Sequence, residues 1–406
     1  MTALSGVEMS IYRSLGVEPI INACGTVTRL GGAPMREEVL KSFSEAAREW
    51  VPLEQIQAAA SVRIAEATGT QAGIVTAGAA AALTLGATAI MAGHDLGRME
   101  KLPQSDSFRN EFLIAREQRC GYDHAVIAAG AGFVEVGYNE IVANAGVRRT
   151  ELWEYAAGIG PQTVGIVYRH SVDAKPSLPE LVKLAHSHGL PVLVDAAGEL
   201  PPRENLTGIP ATGADLVAFS GGKAIRGPQS TGLLCGTREL ISSSALQMLD
   251  MDDHPELWDP PAGLIDRGLV NGIPRHGLGR GFKVSKEEIV ALLTALDLFT
   301  SGAYDDDLPR MQDCLDTIVT ALDGSRAECR LNNPASHDSW GILEIVLDEV
   351  ALGRNAFEVC RRLRAGTPPV YVGHGKLQQG ILTVNPLCLS VEQTVQLAAR
   401  LAEELS

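Results

Sequence analysis

Two residues stand where an open α/β sheet would place reactive groups. Asp195 follows the apolar run Pro191-Val192-Leu193-Val194 and precedes Ala196-Ala197-Gly198. Lys223 follows the apolar run Ala218-Phe219 through Ser220-Gly221-Gly222. Runs this short and this apolar suit strands covered on both faces. The residue after such a strand emerges at the carboxyl edge of the sheet, where ligand crevices form. A glycine pair lets the backbone turn sharply and approach a ligand. An amine held there is partly stripped of water and can attack a carbonyl carbon. A carboxylate one β-α unit away can hold a proton on a basic nitrogen. Taken singly, Lys223 also reads as a surface turn lysine and Asp195 as a helix N-cap.

A third motif supplies anion binding. Val75-Thr76 runs through Ala77-Gly78 into Ala79-Ala80-Ala81-Ala82-Leu83, the pattern of a strand, a glycine turn and an alanine-rich helix. Free N–H groups at a helix start attract anions. Gly78, Ala79 and Ala80 carry such groups, and Thr76 or Ser220 adds a hydroxyl. No Gly-Lys-Ser/Thr follows, which excludes a Walker-type loop. A lysine amine, a carboxylate and a phosphate-binding turn are what pyridoxal 5′-phosphate (PLP) requires. The lysine holds it as a Schiff base, and the carboxylate keeps the pyridine nitrogen protonated so the ring draws electrons. Beyond the lysine, Gln229 and Thr231 are placed to reach a phosphate in a neighbouring subunit or to cap their own loop.

The elements that must position these groups alternate along the first two-thirds of the chain. Strands are expected at Gly73–Thr76, Ala125–Ala129, Phe133–Val136, Thr163–Tyr168, Val192–Val194, Leu216–Phe219 and Gly232–Cys235. A helix is expected over Leu178–His188, started by Ser177 and Pro179 and stopped by Gly189. This alternation predicts an α/β sandwich on a mostly parallel sheet. Near Lys283 the texture changes. Ser285 with Glu288 forms a capping box for a long helix to about Ser301. Asp305-Asp306-Asp307 suits the start of another helix. Strands at Leu343–Leu347, Val370–Val372 and Ile381–Val384 then predict a small α+β domain. The expected organisation is an N-terminal segment over 1–45, a large cofactor-binding domain over 46–283 and a small C-terminal domain over 284–406.

Composition narrows the function class. The chain has 406 residues and a formal net charge of −15. So acidic a surface repels phosphate backbones, and nucleic acid is not an expected partner. A small anionic substrate remains compatible, because a local basic pocket overrides the global field. The seven cysteines are scattered, with no CxxC pair, which argues against a disulfide framework and a zinc knuckle. His186 and His188 fall on different helix faces, so no metal site is expected. The N-terminus lacks a leader pattern, and the Thr76–Gly93 stretch is too weakly apolar for a membrane span. A cytoplasmic protein with no membrane association is expected.

The residues resemble the family that joins bacterial selenocysteine synthase (L-seryl-tRNA selenium transferase) with D-glucosaminate-6-phosphate ammonia-lyase. The resemblance runs over most of the chain. It is carried by Ile20-Ile21-Asn22-Ala23-Cys24-Gly25-Thr26, by Thr76–Leu83, by Tyr122-Asp123-His124-Ala125, and above all by Ser220-Gly221-Gly222-Lys223-Ala224-Ile225-Arg226-Gly227-Pro228-Gln229. It implies an aspartate aminotransferase-like (fold type I) PLP enzyme with a large mixed-sheet domain and a small α+β C-terminal domain. It also implies a homodimer or higher homo-oligomer with shared active sites. By position Lys223 matches the Schiff-base lysine and Asp195 the partner of the pyridine nitrogen. Gln118 falls where a side chain covers the ring face, a place usually taken by an aromatic residue or histidine.

Within that family the tRNA-dependent branch carries an additional N-terminal RNA-binding region. About 19 residues precede Ile20 here, and the charge is acidic, so the lyase branch is expected. The expected reaction is α,β-elimination from a small β-hydroxy amino acid or amino sugar acid, giving a 2-keto acid and ammonia. Lys223 would also be the base that removes the Cα proton. Arg29, Arg275 and His276 are candidate binders of the substrate anion, with Arg280 beside them, and each also reads as a solvated surface residue. Aldolase, racemase and aminotransferase chemistry can share the same lysine, aspartate and phosphate loop.

Overall fold

The computed structural model describes residues 10–138, 148–332 and 336–406. It contains twelve strands among them. β1 (Ile21–Ala23) and β9 to β12 (Ala327–Asn332, Ile342–Leu347, Val370–Val372, Ile381–Val384) fall in one compact unit, formed by residues 1–34 and 302–406. β2 to β8 (Ala72–Thr76, Glu111–Ala115, Gly132–Val136, Thr163–Arg169, Val192–Asp195, Leu216–Ser220, Gly232–Gly236) fall in the other, residues 35–301. Among the described residues no helix is long and apolar enough to cross a membrane.

The larger unit is built on one seven-stranded sheet in the order β2-β8-β7-β6-β5-β3-β4. β8 is antiparallel to both its neighbours, and the strands from β7 to β4 are parallel. β2 and β8 are buried along their whole length. That is the pattern of strands covered on both faces, and it is why their sequences are apolar without alternation. Helix Gly78–Ala92 packs on the sheet and is buried from Ala81 through Ala89, which explains its run of small residues.

Three differences from the sequence reading have physical causes. Residues 125–129 are not a strand; Asp123–Ala128 is a helix in which Val126 is buried and Ile127 exposed. A short apolar run rich in alanine does not distinguish the two conformations. Its place in the sheet belongs to β3, whose Phe112, Leu113 and Ile114 are buried between charged flanks. The large unit also extends to both sides of its expected limits. Helix Lys286–Thr300 packs on Glu37–Ala46 and Leu53–Thr68, burying Ile289, Leu292, Leu296 and Phe299. Its capping box forms as read, with Ser285 Oγ accepting from Glu288 N–H.

The smaller unit has a three-stranded antiparallel sheet, β12-β10-β9, and a parallel pair, β1-β11. In that pair Ile21, Asn22 and Ala23 are in register with Val370, Tyr371 and Val372. The Ile20–Thr26 block is therefore built into the C-terminal fold. Asn22 holds the bend that follows: its Nδ2 donates to Gly25 O at 3.0 Å and its Oδ1 accepts from Cys24 N–H at 3.0 Å. Gly25 has φ +79°, and a Cβ there would lie 2.6 Å from Asn385 Nδ2. Replacing Asn22 by Ala removes both hydrogen bonds and is expected to cost about 1–2 kcal/mol, read as a lowered midpoint in thermal unfolding.

Candidate active site

The carboxyl ends of β5, β6 and β7 carry the site. Arg169, Asp195 and Ala218 are neighbours in register across these three parallel strands. Side chains of register partners leave the same face of a sheet. Asp195 Oδ1 accepts from Ala197 N–H at 3.0 Å. Burial pushes its carboxyl above the usual range, and the Ala197 N–H and the charges of Arg169 and Lys223 offset part of that.

Lys223 stands in the turn after β7. The turn is closed by backbone hydrogen bonds from Gly221 to Thr231, from Gly227 to Gly221 and from Arg226 to Lys223, all between 2.9 and 3.0 Å. A Cβ on Gly221 would lie 2.3 Å from Thr231 Oγ1, and one on Gly222 would lie 2.5 Å from Gln229 Cα. The glycine pair is needed because the loop doubles back on itself. Arg226 has φ +61°, the one non-glycine residue described with positive φ. Holding it there costs on the order of 1–3 kcal/mol, and such strain collects at functional loops.

The anion turn comes to the same edge through Gly232. This residue is in register with Thr76 on one side and Ser220 on the other. A Cβ on Gly232 would lie 2.5 Å from the Gly78 carbonyl carbon and 2.6 Å from Ala79 N. Residues 76–79, 220–222 and 229–232 thus meet at one place. Helix Gly78–Ala92 begins there with Ala77 as N-cap, no side-chain cap and no acidic residue in its first turn. Its first N–H groups lack intrahelical partners. Gly232→Ala is expected to push this helix start aside, lowering stability by about 1–3 kcal/mol and weakening PLP uptake in a spectral titration.

Gln118 completes the cluster. It ends a short turn after β3 and lines a narrow cleft together with Asp195, Arg169, Val167 and Leu83. Its Oε1 accepts from Arg169 N–H at 3.2 Å, and its Nε2 is buried without a hydrogen-bond partner. A half-buried carboxylate and an uncapped helix start on one sheet edge fit a ligand with a ring nitrogen and a phosphate.

Comparison with known proteins agrees with this geometry. Residues 159–249 match the aminotransferase class-V family. L-seryl-tRNA(Sec) selenium transferase of Geotalea daltonii is 28% identical over 62% of this chain, which spans 54% of that enzyme. D-glucosaminate-6-phosphate ammonia lyase of Salmonella typhimurium is 27% identical over 97% of both chains. 5′-C-glycyluridine monooxygenase-decarboxylase of a Streptomyces species is 30% identical over 99% of this chain and 93% of its own. The chain belongs to the selenocysteine synthase and glucosaminate-6-phosphate ammonia-lyase family of PLP-dependent enzymes. The solved structure of a D-glucosaminate-6-phosphate ammonia-lyase, 24% identical, superposes with a TM-score of 0.80 over 98% of this chain and 99% of its own. The fold is the fold type I, aspartate aminotransferase-like one.

For a member of this family, the remaining expected residues fall unevenly. Thr76 is buried, and its hydroxyl donates to Gly78 O at 3.0 Å, so it braces the anion turn. Thr231 is fully buried and donates to Pro228 O at 2.7 Å, so its hydroxyl caps its own loop. Gln229 is exposed on that loop, and Ser220 closes β7. Arg29 lies in the smaller unit, over the Tyr371 ring at 5.6 Å, with Arg364 over the same ring at 4.9 Å. Arg275 faces Glu100 at 3.5 Å. His276 Nε2 accepts from Met251 N–H at 2.8 Å and lies 3.5 and 3.6 Å from Asp250 and Asp252. Arg280 pairs with Asp250. Among the described residues neither Arg275 nor His276 shares a hydrogen bond or ion pair with Lys223 or Asp195. Asp250, Asp252 and His276 are exposed and near enough to share an ion, but the histidine nitrogen is already an acceptor.

Two residues escaped the sequence reading. Arg169 lies beside Asp195 in register, and His170 donates its backbone N–H to Asp195 O at 2.9 Å while its ring meets Glu199 at 3.2 Å. The apolar run of β5 pointed to its carboxyl end, and the two residues after Tyr168 were the available signal.

Proposed function

We propose that this enzyme binds PLP at Lys223 and eliminates ammonia from a small β-hydroxy amino acid or amino sugar acid, leaving a 2-keto acid. One observation carries the reading. The Lys223 loop, Asp195 and the open start of helix Gly78–Ala92 converge on one edge of one sheet. The full-length likeness to an ammonia lyase supports the reaction class. When bound, PLP would supply an electron-withdrawing ring, linked through the substrate's amino nitrogen, that takes up charge developing at Cα. Asp195 would hold the proton of the ring nitrogen. The N–H groups of Gly78, Ala79 and Ala80 would hold the phosphate. Lys223 would anchor the cofactor, yield it to the substrate amine and take the Cα proton; the β-hydroxyl would leave as water, and a second water would release ammonia from the nitrogen-bearing carbon. Membership of this family also favours a homodimer or larger homo-oligomer.

The Streptomyces relative favours a second reading, because its name describes oxygen use and loss of a carboxylate. One experiment separates them. The PLP-loaded protein is given β-hydroxy amino acids and D-glucosaminate 6-phosphate with and without oxygen. Ammonia and a keto acid formed without oxygen support the lyase. Turnover that requires oxygen and releases carbon dioxide replaces it with the second reading. An aldehyde with glycine would indicate an aldolase instead.

A further inference from the structure

We infer that Gln118 and Arg169 form a donor wall that receives the carboxylate of an amino acid substrate. The inference rests on the reading above that a small amino acid reacts in this cleft.

Gln118 is 6% exposed, yet its side chain is only half satisfied. Its orientation follows from its neighbour. Oε1 faces the Arg169 N–H at 3.2 Å, and a flipped amide would oppose two donors. That leaves Nε2 as a buried donor with no acceptor among the described residues. Such groups are rare in native proteins, and one beside a reactive carboxylate calls for an acceptor supplied from outside.

Arg169 brings the charge. It is in register with Asp195 on adjacent parallel strands, so both side chains leave the same face. Both line the cleft that Gln118 lines. Arg169 is exposed where Asp195 is half-buried; its charge acts on the Asp195 carboxyl, but no acidic side chain lies within salt-bridge distance of it among the described residues. The other candidate cations differ: Arg275 faces Glu100, and Arg280 is paired with Asp250. Those two cations are held in direct ion pairs, whereas Arg169 acts on Asp195 only at longer range.

The cleft therefore has a donor side and two carboxylates, Asp195 and Asp123, the second already paired with Arg119. Asp195 suits a protonated ring nitrogen. A guanidinium beside an amide N–H suits a planar group with two negatively charged oxygens. In an amino acid that group is bonded to Cα, where the chemistry occurs. A donor wall sharing the cleft of Asp195 is placed for that carboxylate. A phosphate on the far end of a longer substrate would need a site further away.

The test uses the PLP-loaded protein and two small probes, propionate and its uncharged analogue propionamide, with binding read by calorimetry. Arg169→Gln and Gln118→Leu are each expected to weaken propionate binding by about tenfold or more, the size expected for a charge-assisted hydrogen bond. Arg169→Lys should restore part of the loss. Propionamide should bind all forms equally, and Arg275→Gln should leave propionate binding unchanged. Leucine in place of Gln118 removes an unsatisfied buried donor and is expected to leave the thermal midpoint unchanged or raised. Absence of propionate binding to the wild type, or equal binding in both variants, overturns the inference. Cofactor uptake is measured separately by absorbance. A wild type that takes up no PLP overturns the proposed function, and the same calorimetry with propionate on the cofactor-free proteins then decides the role of Arg169 and Gln118.

Discussion

Lys223→Ala should give a folded protein that takes up no visible absorbance with PLP and turns over at least about 10²–10⁴-fold more slowly. The fold should survive because the backbone shapes this turn. Lys223 contributes its carbonyl to it, accepting from Arg226 N–H at 3.0 Å, and alanine keeps that carbonyl. The closures from Gly221 to Thr231 and from Gly227 to Gly221 do not involve the lysine side chain. Thermal midpoints of the two apo forms should therefore be close. Activity should fall for two separate reasons, loss of the covalent anchor and loss of the base. Absorbance on adding PLP, with ammonia release from the best substrate, checks both. A variant with wild-type turnover would remove Lys223 from the chemistry.

The contrast between what the sequence revealed and what it hid follows from the range of the interactions. β6, β7 and β8 were legible because each is apolar on both faces over its own few residues. Asp195 and Lys223 were legible because they end such runs, and Gly221 and Gly222 because a turn that folds back on Thr231 and Gln229 tolerates no Cβ. The capping box of Ser285 and the helix start at Ser177 are local and were read as such. Pairings between distant segments were not. β1 meets β11 almost 350 residues later, and nothing in either short run names the other. The partners of Arg275 and His276 are similarly remote, so a solvated or substrate-facing role was all their own neighbourhood implied. Arg169 was hidden for a related reason. An arginine at a strand end is unremarkable until the adjacent strand places Asp195 in register with it. The left-handed Arg226 was likewise invisible, since arginine carries no preference for that conformation.

Asp195→Asn should separate stability from function. In the folded chain without cofactor, burial raises the Asp195 pKa. A folded value above the unfolded one means that the folded state binds more protons across the interval between them. Stability from this group is then lost as pH rises through that interval, beginning near the ordinary aspartate pKa of about 4, and the loss persists at neutral pH. Asparagine carries no charge to bury. The apo variant should therefore melt at a higher temperature than the apo wild type at pH 7, with the gap closing as the pH falls below about 4. Cofactor should reverse the order. A protonated ring nitrogen would give the carboxylate a hydrogen-bonded positive partner in addition to the more distant charges of Arg169 and Lys223, so PLP should raise the melting temperature of the wild type more than that of the variant. Turnover should fall on the order of 10²–10³-fold, the loss seen when a preorganised polar group is withdrawn from the reacting centre. Thermal unfolding of both proteins, with and without PLP at the two pH values, measures all of this. An apo variant less stable than wild type at pH 7 would mean that the carboxylate is already neutralised within the protein, and Arg169 would then be its counter-ion rather than a binder of substrate.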